Sequence, residues 1–233
     1  MIPLKRAIRS SIGRKFVMSI SGIALVLFVI VHLLGNLTLL IPDGGVAFNT
    51  YAYNFESLGP ALYVIELGLL AVIVMHIAFG VSVSLNNRRA RVRGYAQNIQ
   101  TKGGPSNLSV ASRNMFVTGS LLGAFIVAHI LHFRVAKEFQ DEKIMVDGTE
   151  MTDLYSMVLE AFTNPVIVGI YVVAALMLGF HLRHGFWSAF QSLGTMKPEW
   201  SKGIYGLGYV VAFLLALGFV GIPVYLFLMQ LGG

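Results

Sequence analysis

The sequence predicts an all-α integral membrane protein with five transmembrane helices, its N-terminus in the cytoplasm and its C-terminus outside. Three observations carry that reading. Of 233 residues, 56% are hydrophobic and only 12% charged, and the mean hydropathy is +0.73. Such a balance places the chain among membrane proteins. Five apolar segments, 16–41, 61–86, 114–135, 164–190 and 204–230, each reach the roughly 20 residues that a helix needs to cross the hydrocarbon core. The charges between them change sign from loop to loop, which is a statement about orientation.

Taken in order, the first segment follows Lys5, Arg6, Arg9, Arg14 and Lys15. It is too long for the apolar stretch of a signal peptide, and no small-residue cleavage site follows it, so it reads as a retained helix. The first loop holds Asp43 and Glu56 and no basic residue. The second loop, after the second segment, holds Arg88, Arg89, Arg91, Arg93, Lys102 and Arg113, with a Gly-Gly-Pro turn at 103–105. The third loop runs from Arg134 to Glu160 with three basic and seven acidic residues, and a short surface helix is expected around Met151–Glu160. The fourth sets Lys197 and Lys202 against Glu199. Basic loops stay in the cytoplasm, so the N-terminus, second loop and fourth loop lie inside. The net charge of +6 is therefore a topology signal and not a nucleic-acid footprint. Residues 1–233 read as a single membrane domain without an evident internal repeat. Absence of cysteine excludes an iron–sulfur cluster or thioether-attached haem in this chain.

All six histidines fall inside the apolar segments: His32, His76, His129 with His132, and His181 with His184. An imidazole in hydrocarbon needs a partner, because a buried polar group without one costs several kcal/mol. A rise of about 1.5 Å per residue converts sequence distance into depth. His32 lies 17 residues past Lys15 and His129 16 past Arg113, both about 25 Å from the inner end. His76 lies 16 residues past Pro60 and His181 16 past Pro165, both about 24 Å from the outer end. Two couples at two heights result: His32 with His129 nearer the outside, and His76 with His181 nearer the cytoplasm. The levels differ by very roughly 10 Å. Couples of this kind suit axial ligation of two b-type haem irons within a four-helix bundle, with no open coordination position and hence electron carriage. The competing reading is a proton- or metal-conducting site without haem. His132 and His184 each follow a ligand candidate by three residues, and depth does not choose between residues one turn apart. They are candidates for contact with a haem propionate or a quinone, or for helix packing.

Several motifs then resemble the cytochrome b anchor subunits of succinate dehydrogenase and fumarate reductase. They are Ser19-Ile-Ser-Gly22 leading to His32-Leu-Leu-Gly-Asn36, Ser112-Arg-Asn-Met115 leading to His129-Ile-Leu-His-Phe133, and Phe180-His-Leu-Arg-His-Gly-Phe-Trp-Ser188 continuing to Leu193-Gly194. The resemblance is to the single-chain, five-helix, two-haem class and covers nearly the whole chain. It implies a complex in the bacterial cytoplasmic membrane with a flavoprotein carrying FAD and an iron–sulfur subunit on the cytoplasmic face. Electrons from succinate would reach a quinone, menaquinone in this class; catalysis at succinate would belong to a partner chain. The family's axial ligands map onto His32, His76, His129 and His181. By the same resemblance Ser19 stands near a haem propionate, though a small residue at a helix contact reads the same way. Arg113 is a candidate to neutralise a propionate or to anchor the cytoplasmic end, and Arg183, well within the fourth segment, needs a partner that a propionate could supply. The glutamate that some two-haem fumarate reductases carry two residues before the fourth ligand is here Gly179. Glu66, an acid inside a span about 9 Å from the outer end of the second helix, is a candidate for a quinone or proton pathway or for reaching headgroup water. An anchor for a hydrogenase or formate dehydrogenase remains the alternative within the class, and a haem-free transporter the alternative outside it.

Overall fold

The computed structural model describes residues 10–89 and 114–232, the last three residues of the first stretch by their backbone alone. Helix α1 (Ser11–Asn36) opens at Ser10, whose side chain accepts from the Gly13 N–H at 3.0 Å. This cap starts the helix earlier than the apolar run does, so Arg14 and Lys15 are helical. The far end tightens into a 3-10 turn over Leu37–Leu40. A short helix α2 (Val46–Glu56) leads to α3 (Pro60–Arg89). Helix α4 (Met115–His129) runs on through a π turn (Ile130–Val135) and a 3-10 turn (Ala136–Phe139). Strands β1 (Lys143–Val146) and β2 (Thr149–Thr152) pair antiparallel, with Lys143 opposite Thr152. Helix α5 (Leu154–Ala161) follows, then α6 (Pro165–Ser192) and α7 (Pro198–Leu231). Both long final helices begin on a proline, whose missing N–H costs nothing in the first turn. Asn164 adds a side-chain cap on Val166 N at 2.9 Å.

Five helical stretches are long and apolar enough to cross a membrane: Ser11–Leu40, Pro60–Asn86, Met115–Phe139, Pro165–Ser192 and Pro198–Leu231. Large apolar side chains on them stand in the open, among them Leu27 at 60%, Val64 at 71% and Phe213 at 65% exposure. In water that surface would be a liability; against lipid it is the expected exterior. The protein is an all-α integral membrane protein to which one β-hairpin has been added. α1 packs against α3, α6 and α7, α4 packs against α6 and α3, and α6 and α7 lie along each other. Val26, Leu33, Leu182, Leu215, Ile222 and Leu226 make the core where α1, α6 and α7 meet, and Leu39, Val158 and Phe162 extend it outward.

The ends of the spans that adjoin α2 and α5 are closed by a cap built from α2, the hairpin and α5, of which only a helix near α5 was expected; on the orientation read from the sequence this is the outer side. Asn49, 1% exposed, holds it together. Its Oδ1 accepts from Leu154 N at 3.0 Å and Tyr155 N at 2.9 Å, and its Nδ2 donates to Asp153 Oδ1 at 3.0 Å. Asp153 in turn caps α5 through Ser156 N at 3.1 Å. Gly45, at φ +88°, starts α2 in a conformation that side chains avoid, and a Cβ there would run into the Tyr155 ring.

Candidate functional site

The four helices α1, α3, α4 and α6 bring the histidines together in two couples. His32 faces His129 with ring centroids 5.8 Å apart and planes at 83°. His76 faces His181 at 6.4 Å and 74°. Two imidazoles that each hold Nε2 about 2 Å from a shared metal have ring centres roughly 6 Å apart. Both couples sit at that spacing. Among the described residues no three His, Asp or Glu side chains gather into a cluster, so a metal held here would have to bring its other ligands with it, as a porphyrin does.

For His76 and His181 the Nδ1 atoms are engaged, and their partners fix the tautomer; at His32 the Asn36 Nδ2 lies 3.5 Å from Nδ1 and 3.4 Å from Nε2. His76 Nδ1 lies 3.2 Å from the Met18 carbonyl, which only accepts, and 3.1 Å from Ser21 Oγ. Ser21 already donates to Val17 O at 2.9 Å, so its oxygen is an acceptor toward the imidazole. His76 Nδ1 therefore carries the proton, and the Nε2 lone pair is free. The same device recurs on the facing ring. Thr118 Oγ1 donates to Asn114 O at 3.1 Å and accepts from His181 Nδ1 at 3.2 Å. Each hydroxyl is followed by a glycine that leaves room for the ring. A Cβ on Gly22 would stand 3.1 Å from His76 Cε1, and one on Gly119 would stand 3.3 Å from His181 Cε1.

At the outer couple the arrangement differs. The Tyr171 hydroxyl lies 3.2 Å from His129 Nδ1 and 3.1 Å from His132 Nδ1. All three groups are satisfied by a chain in which one imidazole donates to the phenol oxygen and the phenol donates to the other. The direction in which His129 is the donor is the one that leaves its Nε2 lone pair free for a metal. His129 stacks on Phe125 at 5.7 Å. His32 lies between Phe28 at 5.5 Å and Phe219 of α7 at 5.8 Å.

These contacts expose a repeat that the sequence alone had not suggested. Ser21-Gly22, Phe28 and His32 in α1 stand at the same offsets as Thr118-Gly119, Phe125 and His129 in α4. Pro60 and His76 in α3 match Pro165 and His181 in α6 in the same way. The hairpins α1–α3 and α4–α6 thus carry the same residue types at the same offsets, the kind of correspondence that parallel repeats leave. The equal hydroxyl-to-histidine offset was the available signal.

The remaining expected site residues lie as follows. Ser19, 3% exposed, donates to Lys15 O at 2.8 Å, so its proton is already used. Arg113 lies outside the described residues, as does most of the basic second loop. His184 packs edge-on against Trp187 at 4.8 Å, and its buried Nδ1 has no hydrogen-bond partner among the described residues. Arg183 turns to α7, where Nη2 donates to the Tyr209 hydroxyl and the guanidinium lies 4.6 Å from the ring centroid. Glu66 accepts from Arg134 Nε at 2.8 Å and Nη2 at 3.2 Å. Arg134 also pairs with Glu138, and Lys137 pairs with Glu56 at 2.5 Å. The span that ends at Phe139 therefore brings a second acid, Glu138, to the level of Glu66, together with the cation that both share.

The chain is similar to the succinate dehydrogenase cytochrome b558 subunit of Bacillus subtilis (strain 168), 27% identical over 198 residues, which cover 84% of this chain and 86% of that protein. The resemblance read from the motifs is borne out by this similarity. No family model matches the chain, and no solved structure matches it.

Proposed function

We propose that this chain is the cytochrome b membrane-anchor subunit of a succinate dehydrogenase. It would hold two b-type haems and join flavoprotein and iron–sulfur subunits on the cytoplasmic face to a membrane quinone, menaquinone in the class it resembles. The observation that most supports this is the pair of imidazole couples at metal-bridging distance, with the inner rings held by their Nδ1 protons in the tautomer a ligand needs. The relative's name agrees with it. When bound, a bis-imidazole haem supplies one-electron storage with no position open to substrate.

In this reading His32 and His129 hold the outer iron, and His76 and His181 the inner one. Ser21, Thr118 and the Met18 carbonyl keep the inner rings upright; Tyr171 does so for His129 and assigns His132 a supporting place. Phe28, Phe125 and Phe219 flank the outer rings and keep water from them. Arg113 remains a candidate for a propionate. In this reading chemistry at the succinate carbons falls to the flavoprotein.

Purification of the tagged chain from its native membrane tests the proposal. A flavin-bearing subunit, an iron–sulfur subunit and two haems per complex are expected. His76→Ala and His181→Ala should each remove the inner haem and leave the outer one in the reduced-minus-oxidised spectrum. A colourless preparation from haem-replete cells, or a nickel or molybdenum partner, would sink it.

A further inference from the structure

We propose that the surface along the α6–α7 seam around Arg183 and Tyr209, toward the expected cytoplasmic ends, binds the phosphate headgroup of an anionic phospholipid, with Arg183 as its anchor. The inference rests on the membrane orientation and not on the redox reading. Arg183 lies nine residues before Ser192, about 14 Å from the inner end of α6. Two residues separate it from His181, a turn of about 200°, so it faces away from the histidine couples and toward α7. There, among the described residues, it meets the Tyr209 phenol and ring, neither of which neutralises a guanidinium.

No carboxylate of this chain does so either. The ion pairs among the described residues are Arg134 with Glu66 and Glu138, and Lys137 with Glu56. Every acid except Glu199 lies in the outer half of the chain's topology, and the stretches outside the described residues contain no Asp or Glu. Glu199 stands in the first turn of α7, ten residues from Tyr209, or about 15 Å along the helix. A cation inside a span is expected to pair with something, and here the counter-charge must come from outside the chain.

The surroundings have the form of a lipid site. One turn nearer the cytoplasm Trp187 meets Tyr205 at 5.0 Å between ring centroids, at the level where membrane proteins place such rings. Lys202, exposed and three residues before Tyr205 on α7, adds a second cation near the same end of the helix. On the deeper side Phe180 and Phe213 are 48% and 65% exposed, an apolar surface suited to acyl chains. A guanidinium binds a phosphodiester through two parallel N–H donors. A soluble phosphate could use the same cations but not the apolar floor.

Native mass spectrometry and thermal unfolding of the purified complex in detergent decide the matter. The wild type should retain phosphatidylglycerol and be stabilised by adding it, but not by phosphatidylcholine or by inorganic phosphate. Arg183→Gln should weaken retention at least tenfold, and Tyr209→Phe, which keeps the ring and packing, about threefold. Equal phosphatidylglycerol retention by wild type and Arg183→Gln would overturn the proposal, and so would retention of phosphatidylcholine at the same level. Displacement by millimolar inorganic phosphate would overturn the lipid assignment. A changed haem spectrum in Arg183→Gln with lipid retention intact would also overturn it, since the arginine would then serve a propionate.

Discussion

Gly22 and Gly119 are single atoms short of a collision. A Cβ at either position meets an imidazole Cε1 closer than side chains normally approach, and a branched side chain adds a Cγ with nowhere to go. Gly119→Val should therefore displace His181 and lower inner haem content, with the outer haem unchanged, as read by a pyridine haemochrome and the low-temperature spectrum. Gly169→Ala, where nothing lies within 4 Å, is the control and should keep both. Tyr171 makes a different kind of prediction. Tyr171→Phe keeps the ring contacts and removes the hydroxyl 3.2 Å from His129 Nδ1, which would accept from a metal-bound His129. A ligand imidazole that loses such an acceptor donates less charge to the metal, so the outer midpoint potential should rise by tens of millivolts while the inner one stays. Redox titration of the two haems checks it; an unchanged outer potential would mean that Tyr171 only packs.

At the scale of elements, what was legible depended on whether the cause was local. The long helices follow from apolar composition and from the prolines and caps at their starts, all visible within a few residues. The histidine couples were legible because helix rise turns sequence spacing into depth. The outer cap was not, because Asn49 is joined to Asp153, Leu154 and Tyr155 across about a hundred residues. Its hairpin had a local signal: Asp147-Gly148 takes φ +48° and +79°, the turn that an Asp-Gly pair favours. Tyr171 and the Glu66–Arg134 pair were hidden for the same long-range reason. Asn49→Ala should leave two cap N–H groups without partners, a local loss of about 2–4 kcal/mol. Faster amide exchange and proteolysis across 140–160 should report it. Acid acts on the same joint. Burial would raise the Asp153 carboxyl, but hydrogen bonds from Ser156 and Asn49 outweigh it and hold the group below its ordinary value of 3.8. A carboxyl depressed on folding stabilises above its unfolded value, and that contribution is lost as pH falls through the folded one. The cap should therefore loosen only below about pH 4, which exchange measured at stepped pH would show.

Across the whole molecule charge is divided by side. The basic residues assigned to the outside are Arg134, Lys137 and Lys143, and the acid assigned to the inside is Glu199. On the orientation read from the sequence, that division would put the basic loops on the cytoplasmic side, which would suit an acidic partner surface or the anionic leaflet. The outer ionic groups, by contrast, are knotted into one another through Arg134 and Lys137. Arg134 joins α3 to the end of α4, so removing it would strand two carboxylates near the hydrocarbon edge at once.

The matched hairpins have a consequence for origin. A unit that supplies hydroxyl, glycine, phenylalanine and two histidines at fixed offsets needs only a copy of itself to close both couples. A gene half this long, its product associating as a symmetric pair, would already meet the spacing that both iron positions require. Tyr171 has no counterpart at the equivalent position Glu66, so at that point the two halves could not replace one another: one alone supplies the phenol beside His129.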